Sequence, residues 1–422
     1  MNKPTLAVIG SGIAGLSAAW LLKDKFQVTL FERHKAPGMG AYSVNVGEEN
    51  TPVHIDIPLR IITSGYYHEL FKLYQTIGVE IERTDHAGAF FDASGEQVFH
   101  YKNYQFGQRS YSFVSGPNRF TRSNISHALE AVEFLKRIDR GFHWNLANQT
   151  FGDFLKQAGY KHSSFVRWVL MPMLSTICTC DYNSIYQYPA KIILDYLTCG
   201  VSKEGVWKAK YGVPDIVKRL TTGYQVKTEA DIQAISMAGP TPTLTLANGE
   251  QFSFDQVVVA TQPQHAAQMI QADLPETAQD LAAIPFEQSD MVVHRDQSIY
   301  PVHWRKLSPV CYSIDKQQQR PMATVCLNKS MPSVKDCQPV FQTWHPTIRI
   351  NPDKILATAT FERPLMNFES IRRIKNIQTT MTQNQNTLWF CGSYLGGGIP
   401  LLEAGVRSSL RVANALGVET PW

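Results

Sequence analysis

Long hydrophobic runs are missing from this 422-residue chain. No apolar stretch reaches the ~18–20 residues that a helix needs to cross a bilayer, which excludes a transmembrane helix. No signal peptide precedes the first apolar segment, Leu6 to Ile9, so the expected compartment is the cytoplasm. Cysteine is sparse: Cys178, Cys180, Cys199, Cys311, Cys326, Cys337 and Cys391 are scattered, odd in number and form no CxxC. A disulfide framework is therefore not expected in a cytosolic chain. Cys178-Thr179-Cys180 reads either as a redox or metal pair or, more simply, as two small buried residues. The histidines show neither HxxxH nor HExxH spacing, so no metal site is expected. Charge is also thin. With 18% charged residues and a net charge of +4, the composition is that of an ordinary globular protein and gives no argument for a nucleic-acid partner.

What is present is concentrated first in Thr5 to Glu32. Leu6 to Ile9 reads as a buried strand, and Gly10-Ser11-Gly12-Ile13-Ala14-Gly15 follows at once. Leu16, Ala19 and Leu22 recur at helical spacing; Phe26, Val28, Leu30 and Phe31 form a second strand that ends on Glu32. Gly10 allows a tight turn, Gly12 lets the backbone approach a pyrophosphate, and Gly15 lets the helix pack close to the strand. The first helical amides face that pyrophosphate, and Glu32 is placed to accept hydrogen bonds from a ribose. Strand, glycine turn, helix, strand and acid in this order specify a Rossmann-type unit within an α/β fold.

GSGIAGLSAAWLL, then VTLFER, then the loop containing Gly38, Met39 and Gly40 resembles the FAD-dependent amine oxidase / phytoene desaturase / protoporphyrinogen oxidase superfamily. Within it, the nearest resemblance is to a bacterial and fungal branch of NAD/FAD-binding oxidoreductases. The family carries two adjacent glycines where Gly38-Met39 stands here. The resemblance implies a Rossmann-type FAD-binding domain interleaved with an α+β substrate domain. On that pattern residues 1–62, 203–262 and 386–422 bind FAD. Residues 63–202, mainly helical over 124–200, and 263–385 form the substrate domain.

Several contacts follow from the same resemblance. Gly10 to Gly15, Glu32, Arg33, Gly38, Met39 and Gly40 fall on the FAD side of the first unit. Val53 to Arg60 matches the strand beneath the flavin, which brings Pro58, Leu59 and Arg60 near the ring. Arg60 either favours negative charge on reduced flavin or substrate, or is an ion-pair arginine. Ile232 falls where the backbone meets the adenine edge. Near the other end, LWFCGS followed by GGIPLLEAGV puts Gly392 and Ser393 at the phosphates and Gly397 and Gly398 beside the ring. Pro400 reads as the first residue of a helix over 400–416, so that Pro400, Leu401 and Leu402 face the flavin.

The substrate segments are less specific. Tyr66 to Gly78 reads as a helix, 79–123 as short strands, and FVRWVLMPML as a helix kinked at Pro172, lying in the core rather than lining a tunnel or docking on a membrane. Tyr101 to Leu129 contains no acid and has Lys102, Arg109, Arg119 and Arg122 among six aromatics, which suits a phosphate-binding or nucleic-acid face or, as the favoured reading, an amphipathic sheet of the substrate domain. Tyr67 and Trp344 are candidates to face the substrate, but core packing is the favoured reading. Lys306 and Lys329 lie in the segment where flavin amine oxidases place a lysine over the flavin, but neither sits in a matching motif.

These readings lead to an FAD-dependent oxidoreductase that removes hydride from a C–H of a hydrophobic small molecule or lipid acyl chain. Oxygen or another acceptor takes the electrons, and peripheral membrane contact is allowed. Arg60, Tyr67 and Trp344 are its only catalytic candidates. A flavin amine oxidase and a non-catalytic FAD-binding or redox-sensing protein are the alternatives. An NADPH-linked monooxygenase is disfavoured, since no second GxGxxG occurs.

Overall fold

The computed structural model describes residues 3–38, 42–47, 53–107, 109–116, 120–139, 146–199, 205–300, 302–315, 317–382 and 386–422. Its centre is the strand Thr5–Ile9. Leu6 to Ile9 are all buried, as expected of a parallel strand covered on both faces. The sheet has five parallel strands in the order Gln225–Lys227, Gln27–Phe31, Thr5–Ile9, Gln256–Val259, Leu388–Phe390. Three distant stretches of sequence thus meet in one sheet.

Helix Ile13–Leu22 follows the first strand and buries every residue except Trp20. A helix apolar on all sides must be enclosed. One of its neighbours is helix Leu402–Ala415, which runs beside it in the same direction. A Cβ on Gly405 would stand 2.6 Å from Ile13 Cγ2, and the Ser17 and Ser409 hydroxyls are 2.7 Å apart. The two N-termini therefore open at the same edge, beyond the carboxyl ends of the parallel strands.

A second, eight-stranded sheet is built from residues 88–114 and 286–364. Its order is Ile355–Pro364, Phe286–His294, Phe341–Trp344, Met322–Cys326, Val310–Ile314, Gly88–Asp92, Gln97–Phe106, Arg109–Val114. Only the pair Val310–Ile314 and Gly88–Asp92 is parallel. Helices between Arg122 and Thr198 pack on it through a core that includes Phe90, Phe134, Phe154 and Leu174. The segment read as a kinked helix is a π-turn, Val166–Leu170, running into helix Met171–Cys178. Pro172 has no N–H to give the carbonyl one turn back, and the widened turn lies just ahead of it. Val166, Val169, Leu170 and Leu174 are buried, so this is a core helix. Cys178 and Cys180 are buried free thiols.

Two strands, Gln225–Lys227 and Ile232–Ser236, are separated by a kink in which Glu229 has φ +53°. The helix expected over 400–416 is Leu402–Ala415, and Pro400 lies outside it. A tight turn in which the Leu401 amide donates to the Ile399 carbonyl (2.7 Å) occupies the place where Pro400 would have begun the helix. No helix among the described residues is long and apolar enough to cross a membrane.

Candidate functional site

The glycine turn meets each local requirement in a measurable way. Gly10 has φ +102°, and a Cβ there would stand 2.9 Å from the Ala260 carbonyl oxygen. A Cβ on Gly15 would meet the Gly10 carbonyl oxygen at 1.9 Å, so only glycine lets the helix approach this closely. A Cβ on Gly12 would meet no atom within 4 Å. Gly12 is the N-cap of Ile13–Leu22, no side chain caps it, and no acid stands in the first turn. Open space thus lies directly over uncapped helix amides, a cradle whose shape and polarity fit a pyrophosphate.

Glu32 closes the adjacent strand and is buried. Its carboxylate accepts from the Ser11 hydroxyl (2.5 Å), the Ser11 amide (3.1 Å) and the His34 amide (2.9 Å). The Gly38 amide donates to Ser11 Oγ at 3.3 Å, folding the following loop back onto the glycine turn. Arg33 is exposed, its Nε 3.3 Å from His34 Nε2. Met39 and Gly40 lie outside the described residues. Ala230 donates to the Glu32 carbonyl (2.9 Å), which brings Ile232, buried at the start of its strand, to the same edge.

The stretch expected under the flavin is pinned from the second sheet. The Leu59 amide donates to Gln342 Oε1 (2.9 Å), and Gln342 Nε2 donates to the Asp56 carbonyl (2.7 Å). Between them the Ile57–Pro58 bond is cis. The Asp56 carboxylate accepts the Val213 amide at 3.0 Å, capping helix Gly212–Leu220. Burial pushes the Asp56 carboxyl up; the Val213 amide and the Arg60 and Lys208 charges pull against it. Arg60 is half-buried, with Nε out of reach of solvent. Burial pulls its guanidinium down, opposed by Tyr74 and Asp56. A cavity of about 320 Å³ adjoins this stretch, lined among others by His54, Asp56, Arg60, Tyr74 and Lys208. Lys208 is buried and pairs with Glu82 at 2.5 Å.

The third part comes from 392–403. The Gly392 amide donates to Ser408 Oγ (2.9 Å), and Tyr394 packs so tightly over Gly392 that a Cβ would stand 2.5 Å from its ring. Ser393 is half-buried beside it. Arg411 donates to the Leu395 (2.6 Å) and Gly396 (3.2 Å) carbonyls, holding the glycine loop from behind. Gly397 and Gly398 have φ +78° and +77°. Pro400 is buried, and Leu401 and Leu402 are half-buried at the mouth of their helix.

Three residues in this arrangement are not singled out by sequence reading. Tyr66 accepts the Ile399 amide on its hydroxyl at 3.1 Å and meets Tyr67 and Tyr196 edge-on, with centroids 5.3 and 4.9 Å away. Glu403 is buried and accepts the Glu69 (3.1 Å) and Leu70 (3.0 Å) amides, so an acid of one helix caps another, His68–Thr76. Gln342 is the third. Each bridges stretches far apart in sequence. The only advance signal is the Tyr66-Tyr67 doublet.

Of the catalytic candidates, Tyr67 is buried and meets Tyr66 edge-on. Trp344 is half-buried, stacks obliquely on Phe361 (5.5 Å) and shares an apolar cluster with Leu59. Lys306 is exposed, and Lys329 is exposed with its ammonium on the Arg305 carbonyl at 2.9 Å.

A model of an NAD(P)-binding Rossmann-like domain matches residues 8–77. No curated protein matches the chain. Among solved structures, a provisionally assigned protoporphyrinogen oxidase from Exiguobacterium sp. 255-15 is similar over 100% of both chains, with TM-score 0.69 at 15% identity. A CLA-producing fatty acid isomerase from P. acnes is similar over 98% of this chain and 99% of its own, with TM-score 0.69 at 14% identity. Cyclohexylamine oxidase from Brevibacterium oxydans IH-35A is similar over 98% of each chain, with TM-score 0.67 at 15% identity. The fold is thus α/β and amine oxidase-like, with a Rossmann-type domain and the second sheet beside it.

Proposed function

We propose that this chain is an FAD-dependent oxidoreductase acting on a hydrophobic small molecule or lipid acyl chain. One observation carries the reading: two parallel helices, Ile13–Leu22 and Leu402–Ala415, present N-termini without a side-chain cap at one edge, and above the first lies open space at Gly12. Helix ends of this kind suit the pyrophosphate at one place and the electron-rich end of a reduced flavin at the other. Gly10, Ser11, Gly12, Ile13, Ala14, Gly15 and Glu32 hold the dinucleotide half, with Arg33, Gly38 and Ile232 at its margin. Gly392, Ser393, Pro400, Leu401 and Leu402 line the opposite wall, and Pro58, Leu59 and Arg60 lie at the ring.

Bound there, FAD would supply the acceptor for a hydride leaving a substrate C–H next to an amine or in an allylic position, with oxygen or another acceptor taking the electrons onward. The chain's own contribution is positioning and exclusion of water. Gln342 sets the height of Pro58 to Arg60, Tyr66 sets the Gly397-Gly398 turn, and Tyr66, Tyr67 and Tyr196 wall off solvent. Arg60 supplies positive charge. No protein base is assigned, because a neutral amine or an activated C–H gives up hydride without one.

The test is an absorbance spectrum of purified protein, repeated without air after adding amines and then unsaturated lipids. A flavin band bleached by lipids alone is the expected result. Bleaching by amines would move the substrate to the amine class. A flavin that no substrate bleaches would favour a binding or redox-sensing role. Absence of a flavin band even after incubation with FAD would overturn the cofactor reading.

A further inference from the structure

The hairpin Gln97–Val114 is an exposed feature that the flavin reading leaves unused. Only the first half of Gln97–Phe106 pairs with the eight-stranded sheet, through Ala89, Phe90 and Phe91. From Tyr101 onward its strand partner is Arg109–Val114, so a two-stranded ribbon projects from the sheet edge. Tyr104 stands opposite Tyr111, Phe106 opposite Arg109 and Lys102 opposite Phe113. Residues that oppose each other, or are two apart on a strand, share one face. Four aromatics and two cations thus lie on one side of the ribbon. At its base the other side is inward: Tyr101 donates to the His86 carbonyl (3.0 Å) and Asn103 to Asp85 (2.8 Å).

The outer face is open. Phe106 is 64% and Phe113 52% exposed, with Tyr104 and Tyr111 close behind. Helix Arg122–Asp139 covers the inner face of that strand: it turns Asn124, His127 and Phe134 inward, and His127 meets Phe99 edge-on with centroids 5.7 Å apart. Apolar surface left to water on this scale marks a docking face. Charge identifies what docks: no Asp or Glu occurs from Tyr101 to Leu129. A second copy packed face to face would set Lys102 and Arg109 against like charges, whereas an anionic surface complements them. Nucleic acid fits less well. The rings meet one another edge-on, Tyr104 with Phe113 at 5.8 Å and Phe106 with Tyr111 at 5.9 Å, rather than lying flat as a platform on which successive bases stack.

We propose that the outer face of this ribbon is the surface by which the protein docks on an anionic lipid bilayer. Aromatic rings seat at the headgroup boundary, and the cations hold the lipid phosphates. The proposal is independent of what the flavin site oxidises.

Co-sedimentation of the full-length protein with phosphatidylglycerol/phosphatidylcholine vesicles tests it, against phosphatidylcholine alone. Binding to the anionic vesicles that weakens with salt is expected, since surface charge is screened within ~8 Å at physiological ionic strength. F106S/F113S and K102E/R109E should each weaken it by about tenfold with the melting temperature unchanged. Equal binding to both vesicle types, no binding at low salt, or parental binding by both variants would overturn the proposal. So would a concentration-dependent dimer dispersed by F106S/F113S, or single-stranded DNA retention that tracks the same residues as strongly.

Discussion

Gly12→Ala separates the ligand from the fold. The backbone there, φ −63° and ψ 172°, suits any L-residue, and the added methyl would touch nothing within 4 Å. Alanine is a poorer N-cap than glycine, but it removes about 0.4–1 kcal/mol of unfolded-chain freedom, so the flavin-free protein should change by less than about 0.5 kcal/mol. Gly15→Ala is the control. Its methyl would stand 1.9 Å from a backbone oxygen and 3.0 Å from Ala260 Cβ, so the backbone must shift. Overpacking of that kind costs about 1–3 kcal/mol, with or without flavin. FAD at a hundredfold over Kd stabilises the parent by about 2.7 kcal/mol. A methyl between the helix amides and the pyrophosphate should weaken binding at least about tenfold, removing about 1.4 kcal/mol of that gain. Thermal melts of flavin-free protein, with and without added FAD, read both quantities. If Gly12→Ala keeps the parent's FAD-induced shift, the pyrophosphate does not lie over Gly12. If flavin-free Gly12→Ala melts far below the parent, the space was not open.

Gln342→Leu keeps the volume but strands the Leu59 amide and the Asp56 carbonyl; urea denaturation should show a loss of about 1–3 kcal/mol, with faster flavin release. Glu403→Ala removes the cap of His68–Thr76 and should cost about 1–2 kcal/mol in the same assay, while Glu403→Gln, which keeps an acceptor, should cost less. Asp296 provides a pH test. Burial would raise its pKa, but the Asn351 amide, the Ser298 hydroxyl and amide and the Lys354 ammonium outweigh it and hold the carboxyl at about 2. Its folded pKa lies below the unfolded value, so its contribution is present above about pH 4 and is lost as pH falls towards about 2. Asp296→Asn should lack that acid-dependent loss in melts taken across the window; an unchanged profile would refute the assignment.

Whatever depends on neighbours in sequence was readable in advance. The roles of Gly10, Gly12 and Gly15 follow from one turn and one helix, and each has its geometric counterpart. The first buried parallel strand is equally clear, because Leu6 to Ile9 is an unbroken apolar run. What stayed hidden is long-range. Tyr66 and Tyr67 are indistinguishable by composition, yet it is Tyr66 that reaches Ile399, 333 positions away. Glu403 reads as an ordinary acid in a first helical turn until the Glu69 and Leu70 amides arrive. The preference of proline for a first helical position misled at Pro400, since the Ile399–Leu401 turn and the Tyr66 bond act on the same three residues. Trp344 and Lys329 were judged by segment, and segment position does not tell which way a side chain faces.

The side-by-side helices also govern the order in which the molecule can be made. Ile13–Leu22 leaves the ribosome before one of the walls it packs against, Leu402–Ala415, which is synthesised some four hundred residues later. Until then the apolar first helix lacks part of its enclosure, and the parallel sheet lacks its edge strand Leu388–Phe390. Contacts of such sequence separation form slowly, and nascent chains waiting for them expose sticky surface. A chain stopped before Leu388 would therefore lack more than its last helix: its opening segment would be unsheltered, and that nascent intermediate is the one most in need of a chaperone.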